Sequence, residues 1–222
     1  MVNFKVHKLQ NNNCKKPEYL LFIMHGYGDS GGGILHAFND LSEHFENFLL
    51  IAPDGSMPHP YSDGYEWFSL DGVNESQKKA VEIFANGVNE VLYLHEFIDS
   101  EIKKYNIDYD KVFLAGFSQG AFIVNHLALT SKHNFAGIIS ISGGASTIAL
   151  EKTGMHPKDI TTPFCLLHGE DDSILPASIS RVSSMFLKDN NIQNELHIIP
   201  NTEHTINRQM MEIMFNFIEK NK

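Results

Sequence analysis

The chain has 222 residues, of which 42% are hydrophobic and 20% charged, a balance that fits a globular protein and excludes a disordered or fibrous one. That length suits a single domain over residues 1–222 with one sizeable core. The net charge of −10 carries no Lys/Arg run to offset it, which argues against nucleic acid or an anionic membrane as the main partner.

In chain order, Met1 to Gln10 lacks the apolar segment and small-residue cleavage site of a secretory signal, and no later apolar run approaches a membrane span. The two cysteines, Cys14 and Cys165, have neither CxxC nor metal-ligand spacing. Together these features predict a cytoplasmic protein without stable membrane insertion. Phe4 to Leu9 reads as an edge strand, and Tyr19 to His25 (YLLFIMH) as a fully buried one. A glycine-rich loop leads into a predicted helix from Ile34 to Glu46, followed by a strand from Phe48 to Ala52. Pro53 to Gly72 is too long for a bare connection, and loops of that length tend to carry function. Glu75 to Tyr105 places Val81, Phe84, Val88, Val91, Phe97, Ile98 and Ile102 at helical spacing, predicting one long amphipathic helix.

Lys111 to Phe117 (KVFLAGF) is a short apolar strand, and Gln119 to Lys132 returns to helix. Strands are predicted again at Ala136 to Ser140, Pro163 to His168 and Glu195 to Ile199, with helices near Pro176 to Leu187 and Thr205 to Glu219. This alternation predicts an α/β fold with a mostly parallel central sheet and helices on both faces.

Gly116-Phe-Ser-Gln-Gly120 matches G-x-S-x-G between such a strand and such a helix. That is the setting of a nucleophile elbow, the sharp turn that projects a serine above the sheet of an α/β hydrolase. A serine hydroxyl needs a base, and the base needs an orienting carboxylate. The expected chain order is serine, acid, histidine, with the histidine after the last strand. His204 stands there, just before the closing helix, while Glu170, Asp171 and Asp172 compete for the acid after the preceding strand. For each of the three, a solvated loop carboxylate is the bland alternative. His25, His126 and His168 read as strand-end or helix-face residues.

Acyl transfer also needs donors for the oxyanion. The N–H of Gln119, next after the serine, supplies one, and the N–H of Tyr27 in His25-Gly-Tyr-Gly28 is the choice for the other. The same loop satisfies G-x-G-x-x-G through Gly26, Gly28 and Gly31, with Asp54 after the next strand. An oxidoreductase that binds a dinucleotide is therefore a competing reading. It leaves the elbow, the acid loop and His204 unused. A second competitor is a binding protein on the hydrolase fold that lacks catalysis, disfavoured because all three triad positions are filled.

With these residues in view, the chain resembles the phospholipase/carboxylesterase family, which includes acyl-protein thioesterases and lysophospholipases. The resemblance runs from His25 to His204 and rests on His25-Gly-Tyr-Gly-Asp29, Trp67-Phe68, Gly116-Phe-Ser-Gln-Gly120, Ser140-Ile-Ser-Gly143, His168-Gly-Glu-Asp-Asp172 with Pro176, and His204. It implies that Asp172, fifth in H-G-x-x-D, is the acid beside Ser118 and His204. It also implies that Trp67 lines the substrate pocket, with a core aromatic as the alternative. The chain departs from the family at Ser69, at Ala121 and across Asp54 to Tyr65, positions that bear on substrate choice. The expected activity is hydrolysis of a small-molecule or lipid acyl ester or thioester through an acyl-enzyme, with no metal and no organic cofactor. A homodimer is compatible with the sequence and not required by it.

Overall fold

The computed structural model describes residues 5–153 and 160–222. Its main sheet has seven strands: β1 (Val6–Gln10), β2 (Tyr19–Met24), β3 (Phe48–Pro53), β6 (Val112–Phe117), β7 (Gly137–Ile141), β8 (Phe164–Gly169) and β9 (Asn194–Ile199). A two-stranded ribbon, β4 (Met57–Pro58) with β5 (Tyr65–Glu66), lies inside the long loop after β3. The sheet order is β1-β3-β2-β6-β7-β8-β9, with β1 antiparallel to β3 and every other pairing parallel. All seven predicted main-sheet strands are present. The expected start of β1 at Phe4 lies outside the described residues.

Alternation of side chains along each strand divides the core in two. Leu20, Phe22, Met24, Leu114 and Leu166 face α3 (Gln77–Glu90), α4 (Leu94–Tyr105), α5 (Gln119–Thr130), α6 (Thr147–Thr153) and α7 (Ser178–Asp189). Leu21, Ile23, Phe113, Ala115 and Leu167 face α1 (Gly31–Ala37), α2 (Asn39–His44) and α8 (Arg208–Asn221). The sheet is thus covered on both sides, as the uninterrupted apolar strands require. No helix among the described residues is long and apolar enough to cross a membrane.

Two local expectations are corrected. The single helix expected over Glu75 to Tyr105 is two helices, because Val91 to Tyr93 form tight turns, with Leu94 N–H donating to Val91 O and His95 N–H to Leu92 O. No Gly or Pro marks this break. It lets Val88, Val91, Leu94 and Ile98 all reach the core, so packing outweighs a continuous helical pattern. The helix expected from Ile34 to Glu46 begins earlier, at Gly31, where the Ser30 hydroxyl accepts from Gly33 N–H as the N-cap, and it divides around Phe38. Helix α6 and the β4–β5 ribbon, both short, were not predicted.

The chain runs β2 to β3 on one side and then crosses to β6 on the other side of β2. This reversal makes the carboxyl ends of β2 and β6 a topological switch point, where open α/β sheets leave a crevice. Gly26-Tyr27 follows β2 there, and Ser118 follows β6.

Candidate active site

Ser118 sits between β6 and α5 with φ 54° and ψ −118°, a conformation that costs a non-glycine residue on the order of 1–3 kcal/mol. Its surroundings hold it there. Ser118 N–H donates to Ile141 O at 2.9 Å, and Ser118 O accepts from Ala121 N–H at 3.0 Å. A Cβ at Gly120 would lie 2.1 Å from Met24 O, and one at Gly116 would lie 2.2 Å from Gly120 O. The motif's two glycines are therefore demanded by backbone packed against the turn.

His204 follows β9 and lies beside this turn, its ring 4.8 Å from that of Phe117. His204 Nδ1 is 2.6 Å from Asp172 Oδ2. The other carboxylate oxygen, Oδ1, accepts the N–H groups of Leu175 at 2.8 Å and Ile174 at 3.0 Å. Burial pushes the Asp172 carboxyl up, but the Leu175 N–H, His204 and the Ile174 N–H outweigh it and hold the group below its ordinary value. An ionised Asp172 can only accept, so His204 carries a proton on Nδ1, the tautomer that leaves Nε2 bare in a neutral ring.

Of the three competing acids only Asp172 is buried, at 7% exposure, while Glu170 and Asp171 are exposed. The loops carrying Asp172 and His204 are stitched together by Glu170 N–H to Ile199 O at 2.9 Å, Asp171 N–H to Thr202 O at 3.0 Å and Ser173 Oγ to Glu203 Oε2 at 3.1 Å. The helix that follows starts on Asn207, whose side chain accepts from Met210 N–H and donates to Thr202 Oγ1.

The loop after β2 approaches the serine closely: a Cβ on Gly26 would stand 3.4 Å from Ser118 Cβ. His25, fully buried and kept neutral by that burial, fixes this loop. Its Nε2 accepts Gly55 N–H at 2.9 Å, so its proton is on Nδ1, which donates to Gly26 O at 2.7 Å. In a trans peptide the carbonyl and the following N–H point in opposite directions. Pinning Gly26 O toward His25 therefore turns Tyr27 N–H away from His25.

Gln119 contributes more than its backbone. Its Oε1 accepts Trp67 N–H at 3.1 Å and its Nε2 donates to Phe68 O at 2.8 Å, clamping the Trp67-Phe68 segment to the elbow. Trp67 donates its indole N–H to His25 O at 3.0 Å and is 2% exposed. Such burial makes it a buttress behind the Gly26-Tyr27 loop, and offers almost no wall to a substrate.

Two functional-site neighbours are absent from the sequence expectation. His25 and His168 both read from sequence as strand-end residues, yet His168 Nε2 lies 3.2 Å from Asp172 Oδ2 and 2.8 Å from Leu175 O. The signal available was that each heads an H-G pair at the end of a strand. Asp54, the acid of the dinucleotide reading, is 2% exposed and engaged by His7 Nε2 at 3.0 Å and Gly31 N–H at 2.8 Å. It is not free to bind a ribose, so that reading loses its distinguishing contact.

A family model described as Phospholipase/Carboxylesterase matches residues 8–222. The chain belongs to this family. It is 26% identical over 212 residues to acyl-protein thioesterase 1 of Eremothecium gossypii, covering 92% of this chain and 88% of that protein. It is 27% identical over 213 residues to lysophospholipase-like protein 1 of Mus musculus, covering 89% and 84%. Among solved structures, esterase PE8 superposes with a TM-score of 0.89 at 22% identity over 100% of both chains, which shows the α/β-hydrolase fold.

Proposed function

We propose that the protein is a single-domain serine hydrolase of carboxylic esters or thioesters, with Ser118 as nucleophile, His204 as base and Asp172 as the residue that orients His204. The observation that carries this reading is the 2.6 Å bond from His204 Nδ1 to Asp172 Oδ2, beside a serine held at φ 54°. His204 Nε2 takes the Ser118 hydroxyl proton as Oγ attacks the acyl carbonyl. The N–H groups of Tyr27 and Gln119 receive the developing oxyanion. Tyr27 suits this role because His25 fixes the peptide that precedes it. The leaving alcohol or thiol takes the proton back from His204, and water repeats the sequence on the acyl-enzyme.

The thioesterase and lysophospholipase names of the relatives favour acyl-thioester or lysophospholipid substrates over short esters. Two free cysteines, one of them fully buried, fit a reducing cytoplasm. The deciding experiment is hydrolysis of p-nitrophenyl esters of increasing chain length, with fluorophosphonate labelling, by the wild type and Ser118→Ala. Wild-type turnover and labelling that both vanish in a folded Ser118→Ala protein are expected. A Ser118→Ala protein with near-normal turnover overturns the assignment.

A further inference from the structure

Cys165 lies thirty residues before Glu195 and His197, which stand two apart on β9, and this spacing predicts no metal cluster. Strand pairing joins them: in the parallel β8–β9 pair Cys165 stands opposite Glu195, and Leu167 opposite His197. All three side chains therefore lie on one face, the face on which α8 packs over β7 and β8. One donor atom from each lies within 4.8 Å of the others, with Glu195 Oε1 and His197 Nε2 3.2 Å apart. The cluster sits toward the amino end of these strands, whereas Ser118, Asp172 and His204 follow carboxyl ends, so the proposed hydrolysis leaves it unused.

We propose that Cys165, Glu195 and His197 bind a divalent transition metal of the zinc class. A thiolate, an imidazole and a carboxylate form a donor set that favours zinc or cobalt and disfavours calcium and magnesium, which take oxygen ligands. Charge balances as well. Cys165 releases its thiol proton to solvent on binding, the thiolate and Glu195 carboxylate neutralise the dication, and His197 coordinates through Nε2 while keeping one proton on Nδ1. Cys165 is fully buried, whereas the Glu195 and His197 side chains are 35% and 37% exposed, so the ion enters from the solvent side. Three protein ligands leave the fourth tetrahedral position to water. Polar residues on an edge strand can also serve only to discourage strand pairing with another chain. That simpler role accounts for Glu195 and His197, but does not call for a thiol facing them. A bound ion would tie edge strand β9, which leads to His204, to β8.

The test is titration of the full chain with cobalt(II), read by absorption. Saturation at one equivalent is expected, with a thiolate-to-cobalt charge-transfer band, the intense visible bands of tetrahedral cobalt, and displacement by zinc. Cys165→Ser should abolish the charge-transfer band, while Cys14→Ser retains it. Because Cys165 is in the core, His197→Gln and Glu195→Gln at the partly exposed edge provide the second arm. Each should weaken cobalt binding about tenfold or more with an unchanged far-ultraviolet spectrum. The absence of a charge-transfer band in the wild type, or affinity that survives both edge substitutions, overturns the site and leaves edge protection as their role.

Discussion

His168 Nε2 lies 3.2 Å from Asp172 Oδ2, the same oxygen that receives His204 Nδ1 at 2.6 Å. Two histidines thus converge on one carboxylate atom. Burial keeps His168 neutral. Its Nε2 faces two acceptors, Asp172 Oδ2 and Leu175 O, so the proton is there, and Nδ1 faces the Ser180 hydroxyl at 2.7 Å. His168 is therefore a positioning residue that fixes the Asp172 carboxylate from behind. His168→Ala is expected to lower kcat by about tenfold to a hundredfold with a smaller change in KM, as small misplacement of an orienting group does. His168→Gln, which can restore a donor, should recover part of the loss. Steady-state kinetics over a pH series checks this, and equal kcat in wild type and His168→Ala would remove the role.

The strain at Ser118 sets stability against function. Glycine adopts φ 54° without the Cβ penalty, so Ser118→Gly should stabilise the fold by about 1 kcal/mol while removing the proposed nucleophile. Urea denaturation of Ser118→Gly beside Ser118→Ala measures it. A Gly variant no more stable than the Ala variant would show that the turn is not strained.

The strands and the elbow turn were legible because both are written locally: a buried strand is an apolar run, and the elbow is five consecutive residues. The division of the Glu75 to Tyr105 helix was not legible, since nothing at Val91 to Tyr93 breaks a helix and only the shape of the core asks for it. His25 and His168 read as plain strand ends in the sequence because their partners, Gly55 and Ser180, are brought to them by other elements. Of the two readings open for Trp67, pocket wall and core aromatic, burial favours the second. An aromatic in a loop reads as a pocket wall until its indole N–H is found bonded to His25 O. Asp172 was singled out among three neighbouring acids only through the family motif, whereas burial separates them directly.

Gln119 offers a way to separate side-chain from backbone roles. Substitution cannot remove its N–H, but Gln119→Ala releases both bonds to Trp67 N–H and Phe68 O. Trp67 is the sole tryptophan of the chain, so its fluorescence reports the release directly. A red-shifted emission together with a fall of about tenfold in kcat/KM is expected, about 1.4 kcal/mol of transition-state stabilisation. Unchanged emission would mean that Trp67 is held in place without Gln119.

Acid should destabilise the fold. His126, on the helix that starts at the elbow, is 1% exposed, with Nε2 bonded to Asn89 Oδ1 at 2.9 Å and Nδ1 without a partner among the described residues. Burial first, and then neighbouring His95, pull its pKa down to about 4 from an ordinary 6.5. The unfolded chain therefore binds this proton more readily than the folded one, and stability falls as pH drops from about 6.5 toward about 4. Taken alone, that difference amounts to about 2 kcal/mol lost between pH 7 and pH 5. His95, which is also lowered by burial and bonded to Thr130 Oγ1 at 3.0 Å, acts in the same direction. Urea unfolding at pH 7 and pH 5 should show the loss, and His126→Gln should reduce the difference between the two pH values. An equal acid-induced loss in His126→Gln would place the sensitivity elsewhere.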